Sequence, residues 1–247
     1  MRRFFMSEKI QEENKLSKAY ELSESPIGED EWLVELTKEN VAKVEAMIRT
    51  DSNYRISLED RKKSPYWILE MGKFLNGESC DHGFEVIIKN IVNCLDNENS
   101  THLEADKVGR YTMISRIQEQ KNVLWESLEN RDRGFTLIEF LSRPTNPPPG
   151  KRSRRNISFA SKFCHYSCFY LFKGNEAQDN FSIYDSVVAK ALPKYLDYYR
   201  LNNEFNIKDK DYRNYSEAID AIIEASKFQI SRNGFDHLVW YYFKGKR

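Results

Sequence analysis

The sequence predicts an all-α fold, and three observations support that class. Glycine and proline, which disfavour helix interiors most strongly, number only 10 and 7 among 247 residues. Charged residues make up 31% of the chain and hydrophobic residues 40%, which suits helices with one polar and one buried face. Apolar residues recur at three- and four-residue spacing along most of the chain, as they do in amphipathic helices. We expect about nine or ten helices.

The first helices are predicted from apolar spacing and from their end signals. Residues 29–50 place Trp32, Leu33 and Leu36 close to the helical period, which predicts a helix there. Pro65 and Gly77 enclose the next helix, because proline is favoured in a first turn and glycine just after a last turn.

Two further segments of this half are predicted to be helical. Residues 83–97 form one candidate, although the run of Val86, Ile87 and Ile88 is also typical of a strand. Residues 101–130 predict one long helix that opens with a capping box of Thr101 and Glu104. A shorter helix follows at 135–142.

A proline-rich basic segment then divides the chain. Four prolines between 144 and 149 exclude a regular helix. Four positive charges follow within five residues: Lys151, Arg152, Arg154 and Arg155. We therefore predict an N-terminal helical region at 1–142, a Pro-rich basic junction at 143–155 and a second helical region at 156–247.

Charge is distributed unevenly between the two halves. Residues 1–130 hold 18 Lys and Arg against 25 Asp and Glu, and residues 131–247 hold 20 against 13. Such asymmetry is typical of a chain whose basic half meets a polyanion such as nucleic acid, although a dipolar protein without such a partner shows it too. The basic junction leads directly into a helix, whose amino end favours anions.

The helices after the junction carry the candidate catalytic pair, Lys162 and Asp185. Residues 156–172 are apolar over much of the helix circumference, which predicts a buried helix around Lys162. A neutral amine is a nucleophile, and a carboxylate stabilises the positive charge that develops when a sugar loses its base. The alternative is a structural lysine and an ordinary helix N-cap at Asp185.

Other kinds of site have weaker signals. Cys80 with His82, and Cys164 and Cys168 with His165, lack the paired spacing of a zinc site, and buried helical cysteines account for them equally well. The sequence has no glycine-rich phosphate loop and no nucleophile elbow. We expect neither a metal nor a cofactor.

Targeting signals are weak as well. The basic start of the chain is not followed by the apolar core of a signal peptide, and no run approaches the ~18 apolar residues of a membrane span. We expect a soluble, cytoplasmic monomer with reduced thiols and no membrane partner.

The stretch SFASKFC…FSIYDSVVAKAL resembles the core of bacterial proteins with the 8-oxoguanine DNA glycosylase fold, in the helix-hairpin-helix DNA glycosylase superfamily. The resemblance covers about residues 150–245. It implies a helix-hairpin-helix glycosylase-like fold, preceded here by an additional N-terminal helical region. Lys162 and Asp185 fall at the family's catalytic positions, 23 residues apart.

The resemblance also implies where DNA and the target base would bind. The last helix of the family borders the base pocket, which makes Asp236, His237 and Trp240 candidates beside Tyr184. The glycine-rich turn of the hairpin is missing from RNISFAS, so other side chains would replace its phosphate contacts. The DNA-binding candidates are Lys151, Arg152, Arg154, Arg155, Ser158 and Ser161.

The implied activity is removal of a modified base from double-stranded DNA after the nucleotide is flipped out of the stack. Related bacterial members include phage-defence enzymes, which suggests a hypermodified base such as glucosylated hydroxymethylcytosine. Strand cleavage at the abasic site could follow if Lys162 forms a Schiff base. The alternatives are an 8-oxoguanine-type repair glycosylase, a non-catalytic DNA-binding module on the same fold, or a helical protein whose basic loop meets an acidic partner.

Overall fold

The protein is mostly α-helical in a computed structural model, which describes residues 22–50, 58–99, 101–103, 107–144, 155–205, 207 and 211–244. The predicted all-α class is confirmed: the described residues form ten α-helices and one two-stranded sheet. The elements in chain order are β1 (Glu24–Pro26), β2 (Trp32–Val34), α1 (Lys38–Thr50), α2 (Ser64–Leu75), α3 (Phe84–Asn99), α4 (Lys107–Glu119), α5 (Leu124–Glu129), α6 (Arg131–Ser142), α7 (Ile157–Leu171), α8 (Ser186–Tyr198), α9 (Tyr212–Ser226) and α10 (Arg232–Lys244).

The chain divides into two compact units. Unit 1 combines residues 1–55 with residues 185–247, and unit 2 consists of residues 56–184. The chain therefore leaves unit 1 once and returns to it once. The three regions predicted from composition, at 1–142, 143–155 and 156–247, stay a prediction.

Unit 1 is built around its last helix, α10. This helix packs against α1, α8, α9 and strand β2. Phe235, Leu238 and Val239 of α10 are completely buried, which makes this helix the centre of the unit's core. The strands pair antiparallel, with Ser25 opposite Leu33, and the hydroxyl of Tyr195 on α8 donates to the backbone carbonyl of Val34 at 2.9 Å.

Unit 2 is built around α7, which packs against α2, α3, α5 and α6. Its apolar side chains point in several directions and are nearly all enclosed: Phe159, Phe163, Cys164 and Cys168 are each at most 1% exposed. The prediction of a buried helix at 156–172 is confirmed. A short 3₁₀ helix, Glu176–Asp179, packs against α7 after it ends.

Helix α2 begins and ends at the predicted signals. Pro65 lies in the first turn, where its missing N–H removes no helical hydrogen bond. Gly77 has a φ of 71°, in the left-handed region that glycine adopts most readily, and its N–H donates to the carbonyl of Phe74 at 3.2 Å. Residues 83–97, for which a strand was the alternative, lie in helix α3.

Two predicted helices have different bounds in the structure. The helix predicted at 29–50 is wrong in its first part, because Trp32–Val34 forms β2 and α1 begins only at Lys38. The single helix predicted at 101–130 is also wrong: a turn at residues 120–123 separates α4 from α5.

The predicted start of this helix at Thr101 fails as well, and the reason lies at Asp96, which is 4% exposed near the end of α3. The hydroxyl of Thr101 donates to this carboxylate instead of capping a helix; Glu104 lies outside the described residues. The N–H of Leu103 and the Nε of Arg110 donate to Asp96 at 2.9 and 2.8 Å. Burial opposes the charge of Asp96, but these hydrogen bonds outweigh it and lower the pKa of the carboxyl.

The described helices include none that is long and apolar enough to cross a membrane.

Candidate active site

Helix α7 carries Lys162 on a buried side, where the lysine is 8% exposed. Its Nζ donates to the backbone carbonyl of Asn99 at 3.2 Å. Asn99 is the last residue of α3, where carbonyl groups lack partners within their own helix. One turn along α7, the hydroxyl of Tyr166 donates to the side-chain Oδ1 of Asn99 at 3.2 Å. Two residues of α7 therefore hold the carboxyl end of α3.

The amino end of α7 has no side-chain cap. Asn156 occupies the N-cap position, but its side chain accepts no hydrogen bond from the first turn. The residue is 9% exposed, and its Nδ2 has no hydrogen-bond partner among the described residues. First-turn N–H groups and a buried amide donor thus lie together at the positive end of a 15-residue helix. Such an arrangement can accept an anion.

Arg155 lies directly before this helix end and is engaged in an ion pair. Its Nη2 donates to both carboxylate oxygens of Glu139, at 2.8 and 2.6 Å, and to the hydroxyl of Ser142 at 3.1 Å. The guanidinium is about one-third exposed. A phosphate could reach it only in competition with Glu139. Lys151, Arg152 and Arg154 lie outside the described residues.

The two candidate serines differ in exposure. Ser158 is half-buried in the first turn of α7, a position from which it can face a ligand at the helix end. Ser161 is fully buried: its hydroxyl donates to the carbonyl of Ser158 at 3.2 Å and accepts the N–H of Tyr184 at 2.9 Å. In this structure Ser161 offers no surface to a phosphate.

Asp185 is the N-cap of α8, as its position in the sequence predicted. Its Oδ1 accepts the N–H of Val187 at 2.7 Å, and its backbone carbonyl accepts the N–H of Ala189 at 2.8 Å. The residue is half-buried. Asp185 begins the second segment of unit 1, whereas Lys162 belongs to unit 2. Their action as one pair stays a prediction.

One hydrogen bond bears on that pair from within unit 2. Tyr184, whose N–H binds Ser161, directly precedes Asp185, and Ser161 directly precedes Lys162. A hydrogen bond inside unit 2 therefore joins the residue before Lys162 to the residue before Asp185. The sequence did not predict this contact, because a serine hydroxyl has many possible partners.

The base-pocket candidates fall in both units. Tyr184 lies in unit 2, half-buried, and burial raises the pKa of its hydroxyl while Arg155 opposes the change. Asp236, His237 and Trp240 lie on α10 of unit 1. Asp236 is 4% exposed, whereas His237 and Trp240 are half-buried.

Two polar neighbours of these α10 residues belong to the same helix. The side-chain amide of Asn233 lies 3.4 Å from Nδ1 of His237. The Nζ of Lys244 lies 4.1 Å from the centre of the Trp240 ring, a cation–π contact that occupies one face of the indole. A base could therefore stack only on the other face.

The four cysteines of the chain lie in both half-buried and buried surroundings. Cys80, Cys94, Cys164 and Cys168 are all free thiols. No group of three or more His, Cys, Asp or Glu side chains that could hold a metal ion occurs in the part of the chain that the structure describes. Burial raises the thiol pKa of Cys164 and Cys168 far above the ordinary range.

Two residues near this site were missed by sequence reasoning. Asn156 could have been found, because asparagine directly before an apolar helix is a common N-cap residue. Asn99 could not, because the two residues of α7 that bind it, Lys162 and Tyr166, are 63 and 67 positions away.

No protein-family model matches the chain, and searches of curated proteins and of solved structures found no match either.

Proposed function

We propose that this chain is a DNA N-glycosylase that excises a modified base after flipping its nucleotide out of the duplex. The observation that carries the proposal is the uncapped amino end of α7, on the same helix as the buried Lys162. The amino end of α7 could bind a DNA phosphate, and Lys162 lies about one and a half turns farther along the same helix. This spacing suits a nucleophile that acts on the sugar next to the bound phosphate.

The anion site would take a backbone phosphate. The first-turn N–H groups of α7 can donate to phosphate oxygens; the Nδ2 of Asn156 is buried and can join them only after its side chain turns outward. Ser158 is exposed enough to add its hydroxyl, and the basic residues 151–155 supply charge just before the helix. These contacts carry no sequence information; they would set the position of the duplex.

The chemistry we propose breaks the bond between C1′ of the sugar and the base nitrogen. The electron pair of that bond leaves with the base, which takes up a proton, and the sugar becomes positively charged. The carboxylate of Asp185 would stabilise that charge and orient a water or the amine of Lys162, whose attack on C1′ completes the substitution.

If the amine attacks, it loses a proton and the sugar ring opens to an imine. Water then hydrolyses the imine, or β-elimination cleaves the strand first. In either case the Nζ of Lys162 must first leave the carbonyl of Asn99, which it contacts in this structure.

We propose a hypermodified cytosine of phage DNA, such as the glucosylated hydroxymethyl form, as the substrate, in antiviral defence. The aromatic content of the chain, with 14 Tyr and 15 Phe, supports a pocket for a large base. Excision of 8-oxoguanine is the alternative within the same chemistry.

A non-catalytic DNA-binding module is the second candidate, and specific contacts favour it. Lys162 holds the end of α3, and Asp185 caps α8. Both side chains thus have structural partners that account for their placement without catalysis.

Base release separates the two functions. The protein is incubated with unmodified DNA, 8-oxoguanine DNA and glucosylated phage DNA, and free bases are measured by mass spectrometry. A glycosylase releases one base, and both Lys162→Gln and Asp185→Asn abolish release while DNA binding persists. Borohydride reduction should trap a covalent adduct with the wild type and none with Lys162→Gln.

Controls distinguish a loss of catalysis from unfolding and from the mere loss of a positive charge. Lys89→Gln alters an exposed lysine of α3 and should leave base release unchanged. Circular dichroism must show that Lys162→Gln remains folded. Salt-sensitive DNA binding without release of any base would replace the glycosylase proposal with the DNA-binding module.

A further inference from the structure

A groove in unit 2 follows one side of helix α2. Its volume is about 590 Å³, within the range of small-molecule sites. The turn before α2, the helix itself and side chains of α5 and α7 form its walls. Its lining residues include the apolar and aromatic side chains Leu58, Tyr66, Leu69, Trp125 and Leu171.

A glycine lets the groove floor pack closely. Gly72 lies on the groove side of α2 and is buried. A Cβ at this position would lie 2.5 Å from a methyl carbon of Leu171 and 4.0 Å from the ring of Trp125. The leucine and the indole therefore lie directly against the α2 backbone, which gives the groove an apolar floor.

The charged side chains of the groove are three carboxylates and two cations: Glu59, Glu70 and Glu78 with Arg61 and Lys73. The carboxylates outnumber the cations by one, so the charged side chains of the groove carry a net negative charge. Lys73 Nζ lies 2.7 Å from Glu70, and the Arg61 guanidinium lies over the Tyr66 ring at 5.4 Å.

Glu78 is one of the carboxylates that give the groove this charge. It is exposed, and among the described residues its carboxylate forms no ion pair. The groove therefore presents a negative charge beside an apolar floor. This net charge favours a cationic ligand over a phosphate or carboxylate, in contrast to the positive amino end of α7.

We propose that the groove binds a small organic amine, with its apolar body over Leu69, Trp125 and Leu171 and its ammonium at Glu78. The aromatic walls add to the attraction, because the face of an aromatic ring favours a cation. This site is independent of the proposed glycosylase activity.

Three probes with the same phenyl ring and different polar ends test the charge preference: 2-phenylethylammonium, 2-phenylethanol and 3-phenylpropanoate. Binding is followed by NMR chemical-shift titration of the full chain. The ammonium should bind saturably with a dissociation constant on the order of 1 mM, as expected for a ligand of this size. The alcohol should bind roughly two- to fivefold more weakly, since an exposed ion pair is worth little, and the carboxylate more weakly still.

Variants locate the site. Glu78→Gln should reduce affinity for the ammonium to that of the alcohol, and the matched control Glu85→Gln, an exposed glutamate of α3, should change nothing. Leu69→Lys should prevent binding of the ammonium, because it places a cation in the groove. Absence of saturable binding, equal affinity for ammonium and carboxylate, or full-strength binding to folded Glu78→Gln would each overturn the proposal.

Discussion

Replacing Lys162 by methionine removes the hydrogen bond that this lysine makes to the end of α3. Methionine retains an unbranched apolar stem in the buried site, so the loss of packing is small. The substitution removes the ammonium group, which donates to the carbonyl of Asn99. It also removes a positive charge from the carboxyl end of α3, where a cation is favourable. The variant should therefore report the structural contribution of the ammonium group.

The geometry sets the magnitude. A hydrogen bond with a charged donor contributes about 1.5–3 kcal/mol, and a cation at a helix end typically about 0.3–1 kcal/mol more. The Nζ–O distance of 3.2 Å is at the long end of the normal range, and Asn99 is only half-buried, so water can reach the freed carbonyl. We expect Lys162→Met to lower the free energy of unfolding by about 2 kcal/mol, or Tm by roughly 4–8 °C.

Urea denaturation followed by circular dichroism measures this loss. Lys89→Met makes the same substitution at an exposed position of α3 and should change the free energy of unfolding by less than about 0.5 kcal/mol. Tyr166→Phe removes the other contact with Asn99, and the double variant should depart from additivity by at least about 0.5 kcal/mol. If Lys162→Met is as stable as the wild type, Lys162 does not hold the end of α3 and this reasoning is wrong.

Three further predictions concern unit 2. Gly134→Ala should destabilise the fold by about 3 kcal/mol in urea denaturation, because its Cβ would lie 2.0 Å from the ring of Phe181 and 2.8 Å from a backbone carbonyl; a change below about 1 kcal/mol would contradict this. The lowered pKa of Asp96 means that its contribution to stability is present above the unfolded pKa of about 4 and is lost as pH falls through the folded pKa. Asp96→Asn should therefore flatten the decline of stability below about pH 4, and an unchanged profile would count against the hydrogen-bond network. Burial, followed by the charge of Glu98, raises the thiol pKa of Cys94 to about 11, so its reaction with iodoacetamide at neutral pH should be much slower than in urea; equal rates would contradict it.

Local signals explain the predictions that succeeded. Proline and glycine at the two ends of α2 act within a few residues of themselves, so the sequence shows them directly. Apolar residues on nearly all sides of α7 likewise predict a helix that packs against other helices. Asp185 as a helix N-cap depends on hydrogen bonds no farther than the next turn.

Contacts between different elements explain the helix predictions that were wrong and the site contact that the sequence did not predict. Leu33 and Leu36 have helical spacing, but β2 forms because its backbone pairs with β1 across the turn at residues 27–31. Thr101 has the chemistry of a helix cap, yet its hydroxyl goes to Asp96 on the preceding helix. The partner of Lys162 at the candidate site, Asn99, lies 63 positions away, so this hydrogen bond had no local signature, although the burial of the lysine did.

The interrupted course of unit 1 affects how the chain can fold as it is synthesised. Helix α1 precedes unit 2 in the chain, but the helix it packs against, α10, follows unit 2. All of unit 2 leaves the ribosome before that partner exists. Residues 56–184 can thus fold first. Until α10 has been made, the apolar side of α1 stays exposed, and during that time α1 could bind chaperones or aggregate.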